Sequence, residues 1–192
     1  MSTQPLLEAR LRAIARRTPW CRQALQAVAQ LGLPACCIGA GAVRNLVWDA
    51  LHGVAQPPLP ADIDVAYFDA DDVSLHSEER LRQRLAILLP GMPWEVCNQA
   101  RVHLWFEDYF GYAVPPLLSL DDAIATWPEF ATAVGLHLLP DGEIGIVAPH
   151  GLDDLFNMVV RRNPARISAA GYAQRVASKN YAARWPRVTV VA

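Results

Sequence analysis

The stretch IGAGAVRNLVWDALHG at residues 38–53, together with DIDVAYFD at residues 62–69, decides the fold of this chain. Residues 35–38 are apolar and predict a buried strand that ends at the glycines. After the glycines, apolar residues recur at helical spacing and predict a helix over residues 42–51. Residues 63–68 predict a second strand with acidic residues at both ends. The two stretches therefore predict the order strand, glycine turn, helix, strand.

The rest of the chain predicts further elements from apolar spacing and from proline and glycine breaks. We expect helices at residues 6–15, 24–31, 75–89, 119–127, 152–160 and 169–184, and strands at residues 94–97, 133–139 and 143–147. This order is typical of an α+β (mixed α/β) fold. We expect this fold to include extra C-terminal helices and a β-hairpin.

The length favours one domain, since the chain has 192 residues and no change in composition divides it. Within this domain we predict an N-terminal helical hairpin at residues 1–34 and a core at residues 35–118. Residues 119–192 are expected to form a C-terminal subdomain that packs on the core.

The composition excludes several classes of protein. Hydrophobic residues make up 53% of the chain, and the net charge is −2, so the chain is not disordered and general DNA binding is not expected. No apolar run reaches the roughly 18–20 residues of a membrane span, and the N-terminus lacks the layout of a signal peptide. The four cysteines have no metal-binding or redox spacing, which favours reduced thiols in a cytoplasmic protein.

The glycine turn predicts an anion site. Gly39, Ala40 and Gly41 stand between a strand and a helix, where backbone N–H groups at a helix N-terminus bind phosphate. Arg44 and Asn45 lie on the first turn of that helix, and Arg44 can add a charge-assisted contact. We therefore predict that these five residues bind a nucleotide.

Two acids at the start of the next strand predict a metal site. Because side chains alternate along a strand, Asp62 and Asp64 face the same side, about 7 Å apart. Magnesium (or manganese) prefers carboxylate oxygens and substrate phosphates as ligands. A phosphate site beside metal-binding carboxylates predicts phosphoryl or nucleotidyl transfer.

A further group of polar residues follows the predicted strand at residues 94–97. Asn98, Gln99 and Arg101 are candidates for the same nucleotide-binding cleft, since amide side chains both donate to and accept from a base or sugar. The alternative is a polar loop that caps the strand.

Dinucleotide binding is the chemical alternative, because Gly39 and Gly41 match two of the three glycines of the Rossmann fingerprint. Arg44 replaces the third glycine, which would allow close packing of helix on strand. Asp62 and Asp64 begin their strand, whereas the ribose-binding acid ends its strand. We therefore favour nucleotidyl transfer.

Beyond these patterns, the chain resembles a bacterial family of nucleotidyltransferase-like proteins. The matching segments are residues 38–53, 62–69, 94–103, 123–128, 148–156 and 175–179, followed by Trp185 and Pro186. The resemblance covers roughly residues 20–190 and places the chain within the DNA polymerase β-like nucleotidyltransferase superfamily. It implies a nucleotidyltransferase-type short mixed sheet flanked by helices.

The resemblance implies transfer of a nucleoside monophosphate from a nucleoside triphosphate to a hydroxyl acceptor (small molecule, protein or RNA), with release of pyrophosphate. It also implies a third acid on a later strand, and Glu95 is the candidate because it lies on the next predicted strand. The superfamily usually has serine or glycine where this chain has Ala40. The alternative function is a non-catalytic nucleotide-sensing or interaction module that kept the fold.

Overall fold

A five-stranded mixed sheet forms the centre of the protein in a computed structural model that describes residues 3–191. Its strands are β1 (Cys36–Gly39), β2 (Ile63–Tyr67), β3 (Trp94–Asn98), β4 (Gly135–Leu138) and β5 (Ile144–Val147). They lie in the order β3-β2-β1-β4-β5. β1 is antiparallel to β2 and β4, β2 is parallel to β3, and β4 and β5 form the predicted hairpin. The predicted mixed sheet is thereby confirmed.

Helices flank this sheet. They are α1 (Gln4–Arg17), α2 (Pro19–Ala29), α3 (Ala40–Leu51), α4 (Leu75–Leu88), α5 (Val102–Phe110), α6 (Leu120–Ala125), α7 (Asp153–Phe156), α8 (Ala169–Lys179) and α9 (Tyr181–Arg184). Strands β6 (Val159–Arg161) and β7 (Thr189–Val191) form a separate parallel pair. Across residues 3–191, none of the helices has both the length and the apolar character needed to cross a membrane.

Serine side chains begin three of the helices. Ser74, Ser119 and Ser168 precede α4, α6 and α8, and each side chain accepts a hydrogen bond from the backbone N–H three residues later. This contact satisfies one of the N–H groups that a helix leaves unpaired at its start.

The alternation of side chains along β2 separates the core from the opposite face of the sheet. Ile63, Val65 and Tyr67 are at most 1% exposed and belong to the main hydrophobic core. Asp64 and Ala66 project from the other face of the strand. The acidic residue therefore lies on the face that the main core leaves open.

The main core joins segments from both ends of the chain. Leu11 and Leu25 of the first two helices share it with Trp48, Leu155 and Trp185. The indole of Trp48 packs edge-on against Trp185 at 5.2 Å between ring centroids. Its Nε1 donates a 2.8 Å hydrogen bond to the backbone oxygen of Leu155.

Helix prediction fails at residues 152–160. The helix α7 ends at Phe156, and Met158 has a φ of +56°, which no helix continues through. Residues from Val159 onward form β6 instead. The β-branched pair Val159 and Val160 favours a strand, and this preference outweighs the helical spacing.

Two further boundaries differ from the sequence prediction. The predicted helix at residues 169–184 divides at Asn180, whose φ of 42° is left-handed, a conformation that asparagine tolerates. The sequence analysis does not predict α5, because the polar residues at 98–101 that precede it resemble a loop. Its apolar side chains pack instead against the open face of the sheet, where Phe106 is 7% exposed.

A buried carboxylate ties the C-terminal segment to α3. Asp49 is 3% exposed and accepts hydrogen bonds of 2.8 Å from Trp185 Nε1 and 2.6 Å from Arg184 Nη2. Both oxygens of the carboxylate are therefore used to hold α9 and the residue after it.

We expect Asp49→Ala to destabilise the protein by about 2–3 kcal/mol, because it leaves the buried Trp185 N–H without an acceptor. Urea denaturation measures the loss. Asp153→Ala is the matched control, since its carboxylate is exposed at the start of a short helix and should matter by less than about 0.5 kcal/mol. Equal losses in the two variants would contradict this role of Asp49.

Candidate active site

A cavity of about 640 Å³ lies over the open face of β2 and β3. Its walls come from the start of α3, from α5, and from α8 and α9. It is lined by most of the residues that the sequence singled out: Ala40, Gly41, Arg44, Asn45, Asp62, Asp64, Glu95 and Gln99. Residues far apart in the chain thus share one cavity.

Three carboxylates lie together on its floor. Asp62 directly precedes β2 and Asp64 lies within it, on the same face. Glu95 is the residue opposite Asp64 in the parallel pairing of β2 and β3. Burial, followed by the negative charges of Asp62 and Glu95, raises the pKa of Asp64 to about 6, while Lys179 and Arg175 act in the opposite direction.

The acid pair fits a hard divalent cation. The raised pKa of Asp64 reflects burial and repulsion between neighbouring carboxylates, which a bound cation would relieve. Within residues 3–191, no group of three or more His, Cys, Asp or Glu side chains is arranged to hold a metal ion. Magnesium is commonly held by only one or two carboxylates, with substrate phosphates and water completing its shell. Asp62 and Asp64 suit that mode of binding.

The glycine turn combines tight packing with an open helix start. Gly39 is buried, and a Cβ atom there would lie 2.6 Å from the ring of Trp127. Ala40 has a φ of +51°, a left-handed conformation that costs an alanine free energy. A Cβ atom on Gly41 would lie 3.8 Å from Asp62 Oδ1, so the start of α3 adjoins the acid pair. The first N–H groups of a helix lack partners within it and can receive an anion.

Arg44 is a buried part of the cavity wall, only 4% exposed. Its guanidinium donates to Asn45 Oδ1 at 2.8 Å and to the Tyr181 hydroxyl at 3.4 Å. It also lies 3.7 Å from the carboxylate of Glu129. Its Cζ atom lies 4.9–5.7 Å from the ring centroids of Trp48, Tyr181 and Trp185. Burial lowers the pKa of Arg44, although a guanidinium stays charged.

The sequence analysis missed three residues on this side of the cavity, two that line it and one that is buried beside them. Arg175 and Lys179 lie four residues apart on α8, on one face of the helix, and both line the cavity. Glu129 is fully buried and accepts 2.8 Å and 2.7 Å hydrogen bonds from Arg175 Nε and the Tyr181 hydroxyl. Among residues 3–191, Lys179 makes no hydrogen bond or ion pair with another side chain. The basic spacing on a predicted helix was the available signal for the two cations.

The polar residues after β3 divide into two groups. Gln99 lines the cavity, and its Oε1 lies 3.4 Å from Trp127 Nε1. Asn98 is fully buried away from the cavity lining, where its amide holds the turn that begins at Asp69 through 3.0 Å and 2.7 Å bonds. Arg101 also lies outside the lining and pairs with Glu78 at 3.4 Å.

We expect Gly39→Ala to destabilise the protein by about 1–3 kcal/mol, because the added methyl group would overlap the Trp127 ring. Gly41→Ala is the matched variant, since its methyl group meets nothing closer than 3.8 Å. Thermal unfolding distinguishes the two. Similar melting temperatures for both variants would contradict the packing role of Gly39.

We also expect Asp64→Asn to stabilise the metal-free protein above pH 6. A carboxyl whose pKa rises from 3.8 to about 6 on folding costs stability as pH increases through that interval. The asparagine variant should therefore exceed the wild type by about 2–3 kcal/mol at pH 7.5 and match it below about pH 4. Urea denaturation across pH with a chelator present measures this, with the exposed Asp141→Asn as control. A variant no more stable than the wild type at pH 7.5 would refute the expectation.

The chain is similar to several solved structures. One, described as "a CCA-adding enzyme head domain", has a TM-score of 0.79 and 28% identity, with 94% of each chain covered. Two structures described as a tRNA-processing enzyme, in apo form I and in complex 3, both have TM-scores of 0.53 with 18% and 16% identity. They cover 88% of this chain but 42% and 43% of their own, and they show the fold alone.

Comparison at the level of sequence gives the family. None of the curated proteins matches this chain significantly. The profile of a nucleotidyltransferase family matches residues 26–190, which is most of the chain. The profile and the head-domain similarity agree with the resemblance seen in the sequence. This protein therefore belongs to the nucleotidyltransferase family and has the DNA polymerase β-like fold of that group.

Proposed function

We propose that the protein is a metal-dependent nucleotidyltransferase that moves a nucleoside monophosphate from a nucleoside triphosphate to a hydroxyl acceptor. The observation that carries this proposal is the shared cavity. The acid pair Asp62 and Asp64, the open start of α3 and the cations of α8 all line it. Family membership supports transferase activity, and the cavity supports this particular chemistry.

The phosphate end of the cavity is the side formed by α3 and α8. Gly41 and the N–H groups after it present a partial positive charge to the β- and γ-phosphates. Arg175 and Lys179 add full positive charges close enough to lower the pKa of Asp64. Lys179 is the more available of the two, since Glu129 already holds Arg175.

Asp62 and Asp64 would hold magnesium (or manganese) beside the α-phosphate. The bound ion would neutralise phosphate charge and polarise the attacked phosphorus. The carboxylates would place this charge at the α-phosphate, while the cations of α8 would meet the β- and γ-phosphates. Burial of Asp64 strengthens each of these interactions by lowering the local dielectric constant.

The transfer itself is a displacement at the α-phosphorus. The acceptor hydroxyl oxygen forms a bond to this phosphorus while the bond to the bridging oxygen of the leaving pyrophosphate breaks. The hydroxyl proton passes to Glu95, which we propose as the general base because it lies opposite Asp64 on the adjacent strand. The products are the nucleotidylated acceptor and pyrophosphate.

A second candidate function is a nucleotide-binding module without transferase activity. Two observations favour it: Glu95 is exposed, and residues 3–191 hold no three-carboxylate metal cluster. Such a module would bind magnesium and a nucleoside triphosphate but release the nucleotide unchanged.

We also propose that the protein is cytoplasmic, as reduced cysteines suggest.

We expect Asp62→Asn and Asp64→Asn each to abolish magnesium-dependent transfer of label from α-³²P nucleoside triphosphates. A neutral amide binds this ion much more weakly than a carboxylate, because it lacks the negative charge. Glu95→Gln should lower kcat by about 10²-fold or more, as expected for loss of a general base. The control is Asp141→Asn, which changes an exposed carboxylate of the β4–β5 turn.

The outcomes separate the two candidate functions. Label transfer that survives in both Asp62→Asn and Asp64→Asn would overturn the proposed mechanism. Tight binding of magnesium and nucleotide by the wild type, measured by calorimetry, without transfer to any acceptor would favour the binding module.

We expect Lys179→Met to raise the KM for the nucleoside triphosphate about tenfold, as for loss of one charge-assisted phosphate contact. The kcat at saturation should change much less. Arg22→Met is the matched control, because Arg22 is an exposed cation on α2. An unchanged KM in Lys179→Met would remove this residue from the phosphate site.

A further inference from the structure

The end of the cavity farthest from the glycine turn has a different chemical character. Trp105, Phe106 and Phe110 of α5 line it together with Leu117 and Arg166. We call these five residues the aromatic pocket. The aromatic rings of this pocket contact one another, and the ring centroids of Phe106 and Phe110 lie 4.3 Å apart. This surface offers flat apolar contact in a cavity whose other end is strongly charged.

The aromatic pocket and the phosphate end lie near opposite ends of β2, on the same face of the sheet. Asp62 and Asp64 lie at the start of β2, beside the end of β1 that leads into the glycine turn. Phe106 packs against Phe68, beyond the other end of β2. Asp64 and Phe68 are four residues apart, which is about 13 Å along a strand. The acids therefore lie between the phosphate end and the aromatic pocket.

Arg166 has an unused donor within this pocket. Its guanidinium stacks over Phe106 at 5.6 Å, and its Nη2 donates to the backbone oxygen of Pro115 at 2.6 Å. The hydroxyl of Tyr112 donates to the backbone oxygen of Arg166 and holds the residue from the other side. Its Nη1 is buried and has no hydrogen-bond partner. Buried donors are almost always paired, and Arg166 itself lines the cavity, so its guanidinium is the group that an anionic ligand in the cavity can approach.

The geometry of phosphoryl transfer indicates that the acceptor binds at this end of the cavity. The attacking and leaving oxygens lie roughly in line through the phosphorus. If pyrophosphate leaves toward Lys179 and the start of α3, the attacking hydroxyl comes from the opposite side. Glu95 lies on β3, whose chain continues directly into α5 and the aromatic pocket. The body of the acceptor then lies against that pocket.

We propose that the acceptor is a small hydroxyl-bearing molecule with a flat apolar body and an anionic group, either carboxylate or phosphate. The flat body packs on Trp105 and Phe106, and the anionic group pairs with the guanidinium of Arg166. This assignment rests on the proposed nucleotidyltransferase function.

An RNA acceptor fits this end of the cavity less well. Binding of a nucleic-acid strand requires cations for several phosphates. Of the aromatic pocket's five residues, Arg166 alone is a cation. Arg101, on the segment before α5, lies outside the cavity lining and is paired with Glu78. One cation beside aromatic rings suits a single anionic group.

Binding of probe molecules tests the proposal without requiring transfer. The probes are 4-hydroxyphenylacetate, 4-hydroxybenzylphosphonate and the neutral 4-hydroxyphenylacetamide, each titrated by calorimetry into protein saturated with magnesium and a non-hydrolysable nucleoside triphosphate. We expect at least one anionic probe to bind at least tenfold more tightly than the amide. Comparing the carboxylate with the phosphonate identifies the preferred anion.

Variants locate the binding site. Arg166→Met should reduce the affinity for the anionic probe to that of the amide, while nucleotide affinity stays within twofold. Trp105→Ala should weaken all three probes. The control is Arg22→Met, which should change neither affinity. Circular dichroism verifies that each variant is folded.

Four results would overturn the proposal: no binding of either anionic probe, binding unchanged in Arg166→Met, displacement of the probe by the nucleotide, or label transfer to RNA alone. Failure of the proposed nucleotidyltransferase function is a separate result. It would appear, before any probe is added, as absence of magnesium-dependent nucleotide binding or as nucleotide binding without label transfer to any acceptor.

Discussion

The antiparallel pairing of β1 with β2 is the constraint on which the site depends. Its register places Ile38 opposite Val65, and so sets Gly39 beside Asp64 and the start of α3 beside Asp62. A shift of one residue would turn every side chain of β2 to the other face. Asp64 would then enter the main core, and an apolar side chain would replace it in the cavity. The same backbone hydrogen bonds thus determine both the packing of the core and the placement of the acids.

The electrostatics of the cavity come from segments at opposite ends of the sequence. The strands contribute carboxylates, and burial, followed by repulsion from Asp62 and Glu95, raises the pKa of Asp64. The helix α8 contributes Arg175 and Lys179, whose charges oppose that shift. Asn180 ends α8 in a left-handed conformation, so the next residues return to the core while Lys179 stays exposed. The C-terminal helices are therefore part of the site's charge distribution as well as of its packing.

The predictable part of this site is the part that is local in sequence. Gly39 to Gly41 and the acids at residues 62 and 64 belong to consecutive elements, so strand alternation and turn chemistry alone predict their neighbourhood. The spacing of Arg175 and Lys179 indicates only that they share a helix face. Tertiary packing brings that face to the cavity and buries Glu129 beside it. Asn98 shows the opposite problem, because a buried amide that holds a turn has the same sequence signature as one that binds a ligand. The strand at Val159 was missed because short apolar runs suit either helix or strand.

Glu129 has a consequence for how this chain can be recombined with its relatives. Its carboxylate has contacts with three helices, through Arg44 on α3, Arg175 on α8 and Tyr181 on α9. A buried charge deprived of partners costs on the order of 3–5 kcal/mol. A chimera that exchanges the last quarter of the sequence must therefore inherit matching partners for this carboxylate. The same constraint acts in evolution, so substitutions of the Glu129 partners in the C-terminal helices are coupled to the residue at position 129.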